Sequence, residues 1–258
     1  MTKQIFPLAL GGLAIGTTEF IIMGLLPDVA KDLGVSIPIA GHLISAYAFG
    51  VVVGAPILVA LSSKFPPKNI LIVYMILFTL FNALSIVAPD YNTLLMSRFL
   101  AGLPHGAFFG VGTIVAIKLS KKGKEAQAVS SMFTGLTLAI LLLVPLLTYI
   151  GHNTSYKWAF LIVSLLGIFT ILALIKFMPK LKSLKTVTFK EEIEFFLTFK
   201  AWHIILIVAI GFGGLFAWFS YIAPLLINVS KFSPSSISYL MLVAGVGMVV
   251  GNILGGYL

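Results

Sequence analysis

A carboxylate, Glu19, and a guanidinium, Arg98, each stand inside an apolar run of about twenty residues. A charged group is expensive in hydrocarbon, about 3 kcal/mol or more for an arginine at the centre of a bilayer, so each is expected to face other protein rather than lipid. Gly12 and Gly16 share the helical face of Glu19, and Gly102, Gly106 and Gly110 follow Arg98 at four-residue steps, with His105 on nearly the same face. Small residues let helices approach closely, which points both faces inward. A sequestered carboxyl holds its proton more readily than one in water, which suits a group that binds and releases protons or meets a substrate. Two plainer readings stand beside this one. Glu19 could be permanently paired with Arg98, and Arg98 could do no more than anchor a neighbouring backbone carbonyl. His105 could equally be a satisfied structural histidine. Trp218 and Tyr221 would line a cavity or anchor at the membrane interface.

The elements that must position these residues are membrane helices. Spans are expected near 5–26, 41–62, 70–88, 92–117, 127–150, 157–178, 201–225 and 236–258. Each matches a hydrocarbon thickness of roughly 30 Å at about 1.5 Å per residue. The 258 residues are 59% hydrophobic and 10% charged, with a mean hydropathy of +1.10, too little polar surface to clothe a water-soluble globule. Lys3 before an apolar run suggests a leader peptide, but the run is too long and lacks a small-residue cleavage site, so it reads as a retained helix. No cysteine is present, which removes disulfides, thiolate metal sites and cysteine nucleophiles. Neither a metal nor a cofactor is expected. The formal net charge of +9 does not gather into an aromatic-interleaved groove, so nucleic acid is not an expected partner.

The basic residues set a topology instead. Thirteen lysines fall at the N-terminus and in alternate connections, among them Lys64, Lys68 and the cluster Lys118 to Lys124, while Lys31, Lys157 and Lys231 fall on the other side. That imbalance places the N-terminus in the cytoplasm. The stretch 178–200 is the main polar segment. Thr188 and Glu191 have capping-box spacing, and Phe189, Ile193 and Phe196 follow at helical intervals, so it reads either as a short interfacial helix or as a solvated linker. Shifting the chain by 197 residues lays Pro27 on Pro224, Ser36 on Ser233, Gly50 on Gly247 and Gly54 on Gly251. Parallel repeats of six helices fit that pattern. The expected organisation is a six-helix bundle over 1–178, a linker over 179–200, and two helices of an incomplete second bundle over 201–258. Two whole copies would need about 136 more residues, or four helices, so the chain reads as a fragment. Gly247, Gly251 and Gly255 form a further small-residue stripe, expected to pack against another helix.

No H-E-x-x-H, phosphate-binding loop, G-x-S-x-G or paired intramembrane carboxylate occurs, so an enzyme is not expected. If the chain moves a solute uphill, a gradient must drive it, and one charge crossing the membrane supplies about 2.3 kcal/mol per 100 mV.

The strings Thr17-Thr18-Glu19-Phe20, Met23 to Pro27, GHLISAYAFGVVVGAP at 41–56, PHGAFFGVGTIV at 104–115, FAWFSYI at 216–222 and LVAGVGMVVGN at 242–252 resemble the major facilitator superfamily. Within it they resemble the bacterial drug:proton antiporter branch and its arabinose-inducible, sugar-efflux-type permeases. The resemblance implies an all-α membrane fold with twelve helices in two six-helix bundles working by alternating access. It also implies a proton-coupling role for Arg98 with Gly102 and Gly106, and a membrane acid at Glu19. It further implies a bacterial inner-membrane location, a small-molecule substrate, protons as partners, and a monomer when whole. Two departures stand out. The loop that usually carries a gate-latching Asp has Ser63 there, leaving Lys64 and Lys68 as its charges. In the fifth helix Gly135 and Pro145 match the antiporter pattern, but Ile140, Leu143 and Leu147 are bulky where small or polar residues are usual, and would block close helix approach. Alternatives to proton-coupled efflux are a passive facilitator and a non-transporting remnant whose eighth helix exposes its glycine face.

Overall fold

The computed structural model describes residues 3–62, 64–182, 194 and 197–255. Eight helices carry the architecture: α1 (Phe6–Asp32), α2 (Ile37–Ser62), α3 (Pro67–Val87), α4 (Tyr91–Leu119), α5 (Glu125–Asn153), α6 (Lys157–Phe177), α7 (Phe199–Ser220) and α8 (Ile237–Gly255). All eight are long and apolar enough to cross a bilayer, and no strand occurs among the described residues. The chain is a multi-pass membrane protein. Apart from Glu194, the expected helix over 188–196 lies outside the described residues, as does Ser63.

Local chemistry fixes the ends. The Asp90 carboxylate accepts the Thr93 N–H at 2.8 Å and caps α4, and the Thr198 hydroxyl accepts the Ala201 N–H to cap α7. Gly34 and Gly123 take φ of 64° and 78° in the turns after α1 and α4, a backbone region that side chains resist. Prolines break two helices from within. Pro145 has no N–H and its ring would strike the carbonyl four residues back, at Leu141. The chain accommodates it with a π turn over Ala139–Leu143, so α5 is two helical pieces joined by a bulge. Pro224 meets the same obstacle at Ser220. There α7 stops, and a turn at Ile222–Pro224 runs into a second π turn over Leu225–Val229. One unbroken span over 201–225 was expected; the proline prevents it.

Glycines decide which helices touch. Helix α1 runs through the middle of the bundle, with Leu8, Ile15, Ile21, Met23, Leu25 and Leu26 fully buried. Its Gly12 and Gly16 back onto Met132, Leu136 and Ala139 of α5, while Gly135 of α5 lies against the Ala9 carbonyl. Helices α2 and α4 interlock in the same manner: Gly50 and Gly54 lie on the backbone of Phe99 and Leu103, and Gly102 and Gly106 on Tyr47, Val51 and Ala55. Helix α6 seats Gly167 on Thr79 of α3.

Beyond the first six helices, α8 lies along α5. Gly245 fits against the backbone of Ile140 and Leu141 at the π turn, and Asn252 Nδ2 donates to Thr134 Oγ1 at 3.5 Å. Bulky side chains at 140 and 143 therefore do not keep this partner away, because the glycine that permits approach stands on the other helix. Gly247, Gly251 and Gly255 have no neighbour within 4 Å of a would-be Cβ, against the packing stripe expected of them. Their counterparts Gly50 and Gly54 meet α4, and no described helix stands in that relation to α8. Helix α7 is exposed over most of its length and rests on α1 through Phe20, whose ring lies 5.7 Å from Phe216 and 5.6 Å from Phe219.

Candidate functional site

Two apolar clusters fill the interior, one at each end of the bundle. On α1 the first ends at Ile15 and the second starts at Phe20. The same gap opens on α2 around Tyr47, on α3 around Asn82 and Ser85, and on α4 from Ser97 to His105. A polar belt thus crosses the bundle between two layers of hydrocarbon, and the two sequence-predicted charges sit in it or beside it.

Arg98 is the sole charged side chain buried among the described residues, with no exposed surface. Its Nη1 donates to Thr18 Oγ1 at 2.8 Å and its Nη2 to the Thr18 carbonyl at 3.0 Å. The Thr18 hydroxyl in turn donates to Asn82 Oδ1. Asn82 holds its amide in that orientation by donating Nδ2 to the Phe78 carbonyl at 2.8 Å. The guanidinium carbon stands 4.3 Å from the ring centre of Tyr47 and 5.7 Å from that of Phe160, close enough for both π faces to stabilise the cation. Arg98 Nε has no partner. Ser85, one turn on from Asn82, and Ser97, next to Arg98, join hydroxyls at 2.8 Å, closing the belt between α3 and α4.

Glu19 is half-buried on the next residue after Thr18. No ion pair within 4.0 Å joins it to Arg98 among the described residues, where the one such pair is His152 with Asp28. Arg98 does anchor a neighbouring carbonyl, that of Thr18, and leaves the carboxylate open. His105 shares a hydrogen bond of 2.9 Å with the Tyr47 hydroxyl through Nδ1 and packs on Phe109, whose ring stacks on Phe133 of α5. Glu19, Arg98 and His105 therefore gather around one residue that sequence reasoning passed over, Tyr47. Thr18 and Asn82 were passed over as well. A lone amide in an apolar helix and a threonine pair beside an acid were the available signals.

The remaining predicted residues fall in several places. Gly102 and Gly106 bring α2 onto α4, and Gly102 lies against the backbone of Tyr47, the residue whose ring stands over Arg98. Gly135 and Pro145 shape α5 as described above. Lys68 donates its Nζ to the carbonyls of Ile175 and Met178, both at 2.7 Å, and so caps the end of α6. Lys64 is exposed. Trp218 lines a cavity of about 360 Å³ with Phe20, Phe216, Phe219 and Met248; Tyr221 does not, and its hydroxyl lies against Gly41.

Major Facilitator Superfamily matches residues 8–258. The chain is 40% identical to AraJ of Escherichia coli (strain K12) over 99% of this chain and 65% of that protein. To the inner membrane transport protein YdhP of the same strain it is 42% identical, over 97% and 64%. A Helicobacter pylori protein named "Probable sugar efflux transporter" is 31% identical over 99% and 65%. The chain thus spans just under two thirds of the length of these relatives. Among solved structures, a bacterial homologue of the lysosomal transporter Spinster superposes with a TM-score of 0.75 at 17% identity, over 97% of this chain and 61% of that one. The proton:xylose symporter XylE superposes with a TM-score of 0.75 at 12% identity, over 98% and 67%. The fold is the all-α membrane bundle that the spans lead to, with eight helices long and apolar enough to cross a bilayer among the described residues. The family model's match over residues 8–258, on a bundle of eight spanning helices, places this protein in the Major Facilitator Superfamily, a family of membrane transporters and not of enzymes.

Proposed function

We propose that the chain works as part of a proton-coupled efflux transporter that exports a sugar or a small amphipathic compound by alternating access. Residues 1–178 form its first bundle, 179–200 the linker, and 201–258 the opening helices of the second. The observation that carries this reading is the separation of Arg98 from Glu19. A buried cation held by Thr18 and two rings, beside a carboxylate with no ion pair to it within 4.0 Å, is an arrangement that can take two states. While Glu19 holds a proton, Arg98 rests on Thr18. Once Glu19 gives it up, the new anion competes with Thr18 for the guanidinium. Substrate occupying the adjacent apolar cavity by Phe20 and Trp218 would load the same site in exchange for the proton.

The lysine imbalance supports an N-terminus in the cytoplasm of a bacterial inner membrane, and a monomer is proposed for the whole protein. The test is efflux from energised vesicles. An imposed proton gradient is expected to drive export, and Glu19→Gln to abolish it while leaving the protein in the membrane. Export by Glu19→Gln at the normal rate, with unchanged pH dependence, would exclude this role for Glu19. Export that ignores the gradient altogether would make the protein a passive facilitator.

A further inference from the structure

We propose that Tyr47 is the positioning residue of this site: its ring holds the Arg98 guanidinium, and its hydroxyl ties that hold to the protonation of His105. The inference rests on the reading of Arg98 as a coupling group, and adds a residue and a direction of control to it.

Tyr47 is almost wholly buried and makes two contacts of different chemistry. Its ring face lies 4.3 Å beneath the guanidinium carbon, and its hydroxyl oxygen lies 2.9 Å from His105 Nδ1. The two partners are both on α4, seven residues and two turns apart, so a side chain from α2 spans them lengthwise. The close approach of α2 and α4 at Gly50, Gly54, Gly102 and Gly106 leaves that ring little freedom to leave. The ionisable groups facing it are Arg98 and His105 from α4 and Glu19 from α1. The belt residues of α3, Asn82 and Ser85, are uncharged, and Phe160 of α6 adds only an aromatic face.

The hydrogen bond to His105 runs in a direction that depends on the histidine. When Nδ1 is bare it accepts the Tyr47 proton; when the imidazole is charged, Nδ1–H donates to the Tyr47 oxygen. A phenol that donates its proton enriches its ring in electron density, and one that accepts a proton loses density. A cation over the ring face is therefore held more firmly in the first case than in the second. Charged His105 also repels Arg98 directly. Both effects loosen Arg98 when His105 is protonated, which frees the guanidinium to turn towards Glu19.

Tyr47→Phe keeps the ring and removes the hydrogen bond; Tyr47→Leu removes both. The experiment measures thermal unfolding of the purified 258-residue chain in detergent from pH 3 to 8, with His105→Ala and the double variant as partners. Transport by the vesicle assay forms a second arm. The portion of the pH dependence that His105→Ala removes is expected to be cut by Tyr47→Phe to what direct repulsion between His105 and Arg98 leaves, and the double variant to remove no more than His105→Ala alone. Tyr47→Leu is expected to lower transport about tenfold at every pH, while Tyr47→Phe alters the pH profile and keeps most of the maximal rate. Independent, additive effects of Tyr47→Phe and His105→Ala would overturn the proposal, as would identical behaviour of Tyr47→Phe and Tyr47→Leu. The unfolding arm needs no transport, so coupled unfolding with no flux would uphold the link and reject the transport reading. Flux with uncoupled unfolding would do the reverse.

Discussion

Thr18 is the hinge of the polar belt at the scale of single residues. One hydroxyl accepts from Arg98 and donates to Asn82, and the carbonyl behind it accepts the second guanidinium nitrogen. Replacing it with the isosteric valine leaves an Arg98 N–H and the Asn82 oxygen unpaired in hydrocarbon. Thr18→Val is expected to destabilise the chain by about 1–3 kcal/mol, read as a lower melting temperature, and Thr18→Ser to restore it. Little of this was legible beforehand. Glu19 and Arg98 announce themselves because charge inside an apolar run is costly. Threonine, asparagine and tyrosine cost little enough in a helix to pass as ordinary residues, and nothing in a single chain says that positions 18, 47, 82 and 98 share a level. At the face bearing Asp28, burial together with the nearby Asp32 carboxylate pushes the Tyr156 hydroxyl up to about 12. Its unfolded counterpart ionises near 10, so the unfolded state releases the proton first. Stability is unaffected below about pH 10 and falls from there towards pH 12. A scan of melting temperature over that interval is expected to show a decline that Tyr156→Phe reduces.

Helices were more legible than their partners. Length and hydropathy alone found all eight, because a bilayer imposes both. The glycine faces were visible as stripes but not as contacts, and their fates differ. Gly102 lies on the Tyr47 carbonyl, whereas Gly110, eight residues on in the same helix, faces open space, as does Gly247. A methyl group at 102 would push α2 off α4. Gly102→Ala is expected to cost about 1–3 kcal/mol, and Gly110→Ala to cost nothing or to gain up to about 1 kcal/mol from helix propensity. Comparing the two melting temperatures checks the α2–α4 seam. The end of α7 at Ser220 was legible in principle from Pro224; hydropathy hid it, because the residues beyond the break are as apolar as those before.

For the molecule as a whole, the lysine imbalance makes the sharpest forecast. The chain has no cysteine, so single cysteines report sidedness without interference. Asn92→Cys, at the start of α4, is expected to react with a membrane-impermeant maleimide added to intact cells, and Lys122→Cys only after the membrane is opened. The reverse labelling would invert the topology and with it the side from which Glu19 is reached. The buried guanidinium also bears on what the bundle keeps out. Arg98 carries its charge inside the bundle, with no counter-anion within 4.0 Å among the described residues. Such a resident cation raises an electrostatic barrier against hydronium and sodium ions wandering through the fold, as fixed positive charge does in water-conducting pores. If the chain transports as proposed, the residue that serves exchange would also oppose idle leakage of cations, and a bundle emptied of it is expected to admit them more readily.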